Sequence, residues 1–219
     1  KTAYEIRNCD WSSDVCSSDL AKRGMMVADF CAGAGGKSLA IGAIMKNTGR
    51  IYAYDISEKR IANLGKRLKK SGLSNLFAQK IKNEKDTKLK KLHGKFDRVL
   101  ADVPCSGTGT FRRNPDLKWK NSIQDLDELN VKQLAILEEA KKLVKKEGRL
   151  IYSTCSLLKK ENELIVEAFL KQNENFKSIS VDDILIKNQI PLSTGNFLKL
   201  TPNNQKTDGF FAAVLERIE

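Results

Sequence analysis

The chain has 219 residues, 41% of them apolar, enough to close one sizeable core and make a single domain. No uninterrupted apolar run approaches the roughly eighteen residues of a membrane span, and no apolar stretch of signal-peptide type stands near the N-terminus. A cytoplasmic protein without membrane contact is therefore expected. The net charge of +12 points to a polyanionic partner, nucleic acid first. The excess is carried by 29 Lys against 10 Arg, so it also fits a merely lysine-rich surface, because phosphate clamps favour Arg.

Residues 5–20 (EIRNCDWSSDVCSSDL) have neither helical nor strand periodicity, and their doubled Ser-Ser-Asp is low in complexity. The segment looks like a translated sequencing adapter; a native capping segment rich in Ser and Asp is the competing reading. Residues 1–22 are set apart as an atypical N-terminal segment, and Cys9 and Cys16 with them, from a domain expected over residues 23–219.

From Arg23 onward strands and helices alternate. A short apolar strand over 27–31 leads into Gly33-Ala34-Gly35-Gly36 and a helix to about Lys46. A second strand over 50–54 ends at Asp55, a basic amphipathic helix covers 57–71 before Gly72, and a third strand covers 75–81. The lysine-rich stretch that follows has no clear period. A fourth strand over 96–103 runs into Pro104-Cys105-Ser106-Gly107, and a long helix over 123–146 is expected to stop at Gly148. A fifth strand over 149–154 runs into Cys155-Ser156, a helix covers 161–172, and weaker strands are read near 176–181 and 210–217. This alternation predicts an α/β fold with a doubly wound, mostly parallel sheet. Ligands of such sheets bind beyond the carboxyl ends of the strands, where every unusual loop of this chain falls.

The turn FCAGAGGKS lies between the first strand and its helix, where glycines allow a tight turn and close backbone approach to a ligand. A Walker A loop needs glycine where Cys31 stands, which removes that reading. A dinucleotide fingerprint fits Gly33 and Gly35 but meets Ser38 at its third glycine. S-adenosylmethionine needs the same turn, with its carboxylate at the helix start. Asp55 suits ribose hydroxyls in either of the last two cases, and a strand-end cap otherwise.

The cysteines are 9, 16, 31, 105 and 155, with no C-x-x-C pair, and the only histidine is His93. No metal site is expected, and a serine–histidine triad has no second candidate for its base. Cys105 and Cys155 follow neighbouring strands, so their loops can share one pocket beside Asp102. Two thiols, a carboxylate and a methyl-donor turn suit methylation of a pyrimidine carbon: thiolate addition at carbon-6 makes carbon-5 nucleophilic, and a base then removes its proton. Asp102 can bond the exocyclic amine and ring nitrogen of the base. Buried small apolar side chains are the alternative for either cysteine alone.

The segments DFCAGAGGKS, FDRVLADVPCSGTGTFRRNPDLKW, GRLIYSTCS with the KKENE after it, and DGFFAAVLER closely resemble the Sun/Fmu (RsmB-type) family of RNA cytosine-5 methyltransferases, in family order from about Arg23 to the C-terminus. The resemblance implies a Rossmann-like methyltransferase fold with an antiparallel C-terminal strand, S-adenosylmethionine as cofactor, and RNA, ribosomal RNA first, as partner. It implies that Cys155 attacks carbon-6, that Cys105 assists product release, that Asp102 holds the base and that Lys37 lies near cofactor and substrate. Cys31, Ala32, Gly33, Ala34, Gly35, Gly36 and Lys37, with Asp55 and Asp102, are implied as the cofactor site. The family's acidic residue after the third strand is replaced by Lys82 or Asn83, and Asn83 is taken as the adenine-side contact. Arg112, Arg113 and Lys118 stand where an extruded nucleotide would enter. Family members carry RNA-binding regions before the cofactor turn; none is read here, so a fragment is expected. The rivals are a non-catalytic RNA-binding protein of the same fold, a dehydrogenase, and a DNA methyltransferase with the cysteine roles exchanged.

Overall fold

The structure, a computed structural model, describes residues 21–119 and 122–219. The atypical segment expected over 1–22 thus lies outside the described residues except for Ala21, which is buried in the core, and Lys22.

The sheet has eight strands: β1 (Met26–Asp29), β2 (Arg50–Asp55), β3 (Leu76–Lys80), β4 (Phe96–Asp102), β5 (Val144–Thr154), β6 (Phe176–Ile179), β7 (Leu198–Leu200) and β8 (Phe210–Arg217). Their spatial order is β3-β2-β1-β4-β5-β8-β6, with β7 also on β8. Strands β1 to β5 pair in parallel, whereas β8 is antiparallel to β5, β6 and β7. This is the doubly wound, mostly parallel sheet with an antiparallel C-terminal strand that the sequence predicts. The central strands read as continuous apolar runs because both faces are covered.

The helices are α1 (Gly36–Ile44), α2 (Glu58–Ser71), α3 (Ile123–Ala140), α4 (Glu163–Gln172), α5 (Val181–Lys187) and the single turn α6 (Pro202–Gln205). Ile41 of α1, Leu64 of α2 and Leu185 of α5 join the core on one face of the sheet; Leu137 of α3 and Val166 of α4 join that on the other. The caps are legible in the chain. Ser57 accepts the Arg60 N–H at the start of α2, Gly72 (φ 73°) ends it in the left-handed region, and Ser122 and Asp125 form a reciprocal capping box on α3.

Two boundaries differ in an informative way from expectation. The helix predicted to run to residue 146 stops at Ala140, a 3-10 turn covers Lys141–Leu143, and β5 begins at Val144. Val144 pairs with Phe96 and Arg149 with Arg98, so residues 145–148 bulge out of the ladder, anchored by an ion pair from Lys145 to Asp97. Gly148 is therefore a bulge residue rather than a helix stop: an added Cβ would lie 2.8 Å from the Lys145 carbonyl oxygen and 3.0 Å from that of Phe96. The strand predicted over 176–181 ends at Ile179, because Ser180 caps α5.

Candidate active site

All the unusual loops meet at the carboxyl edge of β1, β2, β4 and β5. After β1 the backbone stays tied to its neighbours, Phe30 N–H to the Leu100 carbonyl at 2.8 Å and Ala32 N–H to that of Tyr54 at 2.8 Å. The turn then reverses through Gly33 (φ 56°) and Gly35 (φ 82°). Gly35 admits no side chain, since a Cβ there would fall 2.1 Å from Leu64 Cδ1. It precedes α1 without a side-chain cap, so the N-terminus of that helix opens on the turn. A Cβ added at Gly33 or Gly36 would meet nothing within 4 Å. An open cradle of glycines at a helix N-terminus suits a carboxylate-bearing cofactor. Arg67 steadies the far side by donating to the Ala34 carbonyl at 2.8 Å.

Asp55 is buried at the end of β2 and accepts the Gly33 N–H at 2.9 Å and the Ser57 N–H at 2.7 Å, so it shapes the glycine turn as well as standing beside it. Asn83, the expected adenine-side contact, is exposed, and its side-chain oxygen accepts the Lys85 N–H at 3.0 Å. Besides the half-buried Glu84, the acidic residue of that loop is Asp86. It is buried, and N–H bonds from Lys88 and Lys82 hold its carboxyl below the usual carboxylate range. Its oxygens serve the local backbone, so it is not a free counterpart of the missing acidic residue.

The register Asp102↔Ser153 sets the ends of β4 and β5 side by side. The Cys105 and Cys155 sulfurs lie 3.2 Å apart, and the Gly109 N–H donates to the Cys155 carbonyl at 2.9 Å. Asp102 accepts the Lys37 ammonium at 2.9 Å on one oxygen and the Ser153 hydroxyl at 2.9 Å on the other. Lys37 also sits 5.4 Å over the ring of Phe210. Four residues from three separate segments, Lys37, Asp102 with Cys105, and Cys155, thus form one cluster beside the glycine turn. The hydrogen bond with Cys105 lowers the Cys155 thiol, opposed by burial and Asp102 and helped by Lys37. The same hydrogen bond, then burial, pushes Cys105 up. Burial pushes Cys31 up as well, which leaves it a packing residue of the turn.

Of the three basic residues after Cys105, Arg112 and Lys118 are exposed, while Arg113 is paired with Asp208 in the segment before β8. That segment also crosses the Cys105 loop at Gly109 and Gly209, where a Cβ on Gly109 would lie 2.4 Å from the Gly209 carbonyl oxygen. Sequence reasoning missed Ser153, Phe210 and a buried network around Glu161. The only signal for Glu161 was its place in KKENE, where it reads as an ordinary helix start.

Residues 20–216 match the model of the family described as 16S rRNA methyltransferase RsmB/F. The chain belongs to this family. It is 34% identical over 192 residues to the probable ribosomal RNA small subunit methyltransferase B of Bacillus subtilis, covering 87% of this chain and 43% of that protein. It is 34% identical over 209 residues to ribosomal RNA small subunit methyltransferase B of an Escherichia coli strain, covering 94% of this chain and 46% of the relative. The chain thus spans less than half the length of these curated relatives. A crystal structure of a methyltransferase homologue from Pyrococcus horikoshii superposes with a TM-score of 0.75 at 28% identity, covering 94% of this chain and 66% of that one. The sheet described above is the Rossmann-like methyltransferase fold. Among the described residues no helix is long and apolar enough to cross a membrane.

Beside this RsmB/F turn, Asp29 carries a titration that the sequence does not announce. It is fully buried, accepts the Ser38 hydroxyl at 2.6 Å on one oxygen and leaves the other without a partner. Burial pushes its carboxyl up to about 7. An unfolded aspartic acid ionises near pH 4, so between about pH 4 and 7 the folded chain keeps a proton that the unfolded chain gives up. Stability falls as pH rises through that window and is flat above it. We expect Asp29→Asn to remove this slope, so that the variant gains on the parent by about 1.4 kcal/mol for each pH step of one between about 5 and 7, and by no more above that. Urea unfolding at four pH values from 5 to 8 measures this; parallel curves for the two proteins would contradict it.

Proposed function

We propose that residues 23–219 form the methyl-transferring domain of an RNA cytosine-5 methyltransferase, acting on ribosomal RNA with S-adenosylmethionine as donor. One observation carries the reading: two thiols 3.2 Å apart stand beside the Lys37–Asp102 pair at the mouth of an open glycine turn. The cradle of Gly33, Gly35 and Gly36 at the α1 N-terminus would hold the cofactor carboxylate, with Asp55 and Asn83 towards its adenosine. When bound, the cofactor supplies an electrophilic methyl group.

The residues of the chain do the rest. Cys155, its thiol lowered, adds to carbon-6 of the cytosine, and the electron pair moves through the ring to carbon-5, which would take the methyl group as the donor's methyl–sulfur bond breaks and leaves its electron pair on the donor sulfur. Asp102 holds the amine and ring-nitrogen edge of the base, and its partner Lys37 offsets charge on the ring. Cys105 acts in product release through a base that it positions: the base takes the carbon-5 proton, the C–H electron pair restores the carbon-5–carbon-6 double bond, and the carbon-6–sulfur bond breaks and returns its electron pair to Cys155. The base must leave its stack to present a ring face, and the exposed Arg112 and Lys118 are placed to steer the phosphates around it.

The test is methyl-tritiated S-adenosylmethionine with transcribed small-subunit ribosomal RNA, followed by nucleoside analysis. Label is expected in 5-methylcytidine. Label in any other nucleoside overturns the cytosine assignment, and cofactor binding with no transfer to any RNA makes the chain a scaffold.

A further inference from the structure

Two chemically identical thiols touch in this site, yet the proposed reaction needs one to be a nucleophile and the other to assist product release. Their surroundings differ in charge. Towards Cys155 face the Lys37 ammonium and the Asp102 carboxylate, which largely offset each other. Towards Cys105 faces the carboxylate of Glu161, with the Tyr152 hydroxyl nearby.

Glu161 lies in the 3-10 turn Lys159–Glu161 that follows the Cys155 loop, and it has no exposed surface. Its side chain reaches across to the Cys105 loop. One oxygen accepts the Ser106 N–H at 2.8 Å and the Gln133 amide at 3.0 Å; the other accepts the hydroxyls of Ser106 and Ser156. Four donors converge on it, an arrangement suited to a carboxylate rather than an acid. All four are neutral. Gln133 is itself fully buried and bonds the Pro104 carbonyl at 2.9 Å, so both sides of the Cys105 turn hang on this one acceptor.

If the network served only to bind two loops together, well-packed apolar side chains would do it without the cost of a buried charge met, among the described residues, by neutral donors. The position of the charge suggests a second purpose. In a low-dielectric pocket its potential acts most on the nearest group that can ionise, and Cys105 directly precedes the amide it holds. We propose that Glu161 is a positioning residue that makes the two thiols unequal: its buried carboxylate, hydrogen-bonded to the amide after Cys105, keeps the proton on Cys105 and leaves to Cys155 the one negative charge the pair can carry. The proton lost goes to solvent from Cys155, and the remaining S–H points from Cys105 to the Cys155 thiolate. Cys105 is pushed up first by its bond with Cys155 and by burial, and Glu161 acts in the same direction. The inference rests on the two-thiol reading of the site but not on the identity of the RNA base.

The experiment uses freshly reduced full chain and iodoacetamide, with the initial alkylation of each cysteine followed by peptide mapping between pH 6 and 9. In the parent, Cys155 is expected to react well ahead of Cys105. In Glu161→Gln, which keeps the shape and loses the charge, the ratio of the two rates is expected to fall about tenfold, the effect of one pKa unit on a thiolate. Ser156→Ala keeps the charge and removes one of the four donors to Glu161, with the Ser156 hydroxyl's bonds to Ser106, Thr108 and Leu158, so it should retain the parent ratio. Should Glu161→Gln fail to fold, Gln133→Lys places a cation on the same carboxylate and is expected to narrow the ratio too. An unchanged ratio in a folded charge-neutralised variant, or an equal collapse in Ser156→Ala, overturns the proposal. Because no RNA is present, failure here leaves the methylation assay standing, and failure of that assay leaves this result standing.

Discussion

Cys155→Ala loses turnover by at least about 10⁴-fold and forms no RNA adduct, whereas Cys105→Ala stays attached to RNA after denaturation. The expectation follows from where each sulfur acts. Cys155 forms the bond to carbon-6, so without it neither the adduct nor the activated carbon-5 arises. Cys105 acts after methylation, when the carbon-5 proton must leave before the carbon-6–sulfur bond can break. Removing Cys105 thus stops the sequence with the bond made. The asymmetry matches the surroundings, in which Cys155 shares a hydrogen bond with Cys105 and neighbours Lys37, while Cys105 is the more disfavoured thiolate. Denaturing electrophoresis of each variant with labelled RNA and S-adenosylmethionine reads both outcomes. An adduct that needs Cys105 and persists in Cys155→Ala would exchange the two roles, as in a DNA-type arrangement.

The parts of this site that could be read in the sequence are those whose signals are local. Glycines at 33, 35 and 36 between an apolar strand and a helix announce a ligand turn. Asp55 and Asp102 end apolar runs, and Pro104-Cys105 and Thr154-Cys155 directly follow neighbouring strands. Parallel pairing of β4 and β5 then brings the two loops together, because the register Asp102↔Ser153 leaves the two cysteines within one residue of the same height beyond the strand ends. What could not be read depends on partners distant in sequence. Lys141 to Glu147 favour helix locally, but pairing of Val144 with Phe96 draws the end of that stretch into β5. The three-residue β7 exists only because β8 offers an edge. Glu161 occupies a position where a surface cap is the ordinary reading, and only the crossing of two loops shows that its side chain turns inward. Asp29, similarly, is one acidic residue at the end of a strand until burial leaves half its carboxylate without a partner.

Asp102→Asn separates ionisation of the nucleophile from catalysis. Asparagine can keep the bond from Ser153 through its carbonyl oxygen but gives up the charge that faces Lys37. Asp102 disfavours the Cys155 thiolate, and Lys37 favours it. With the carboxylate gone and the ammonium left, the Cys155 thiolate is more favoured, so its alkylation profile moves to lower pH. Turnover is expected to move the other way, by about 10²–10³-fold, because a preorganised group on the amine edge of the base is lost just where ring charge develops. A merely structural residue would not produce this opposition, since a loosened site weakens thiolate stabilisation and turnover together. Single-turnover methylation beside the pH profile of Cys155 alkylation therefore distinguishes the two. A lower alkylation pH with undiminished turnover would remove Asp102 from contact with the base, and a higher alkylation pH would mean that the Lys37–Asp102 pair acts on Cys155 as one cationic unit.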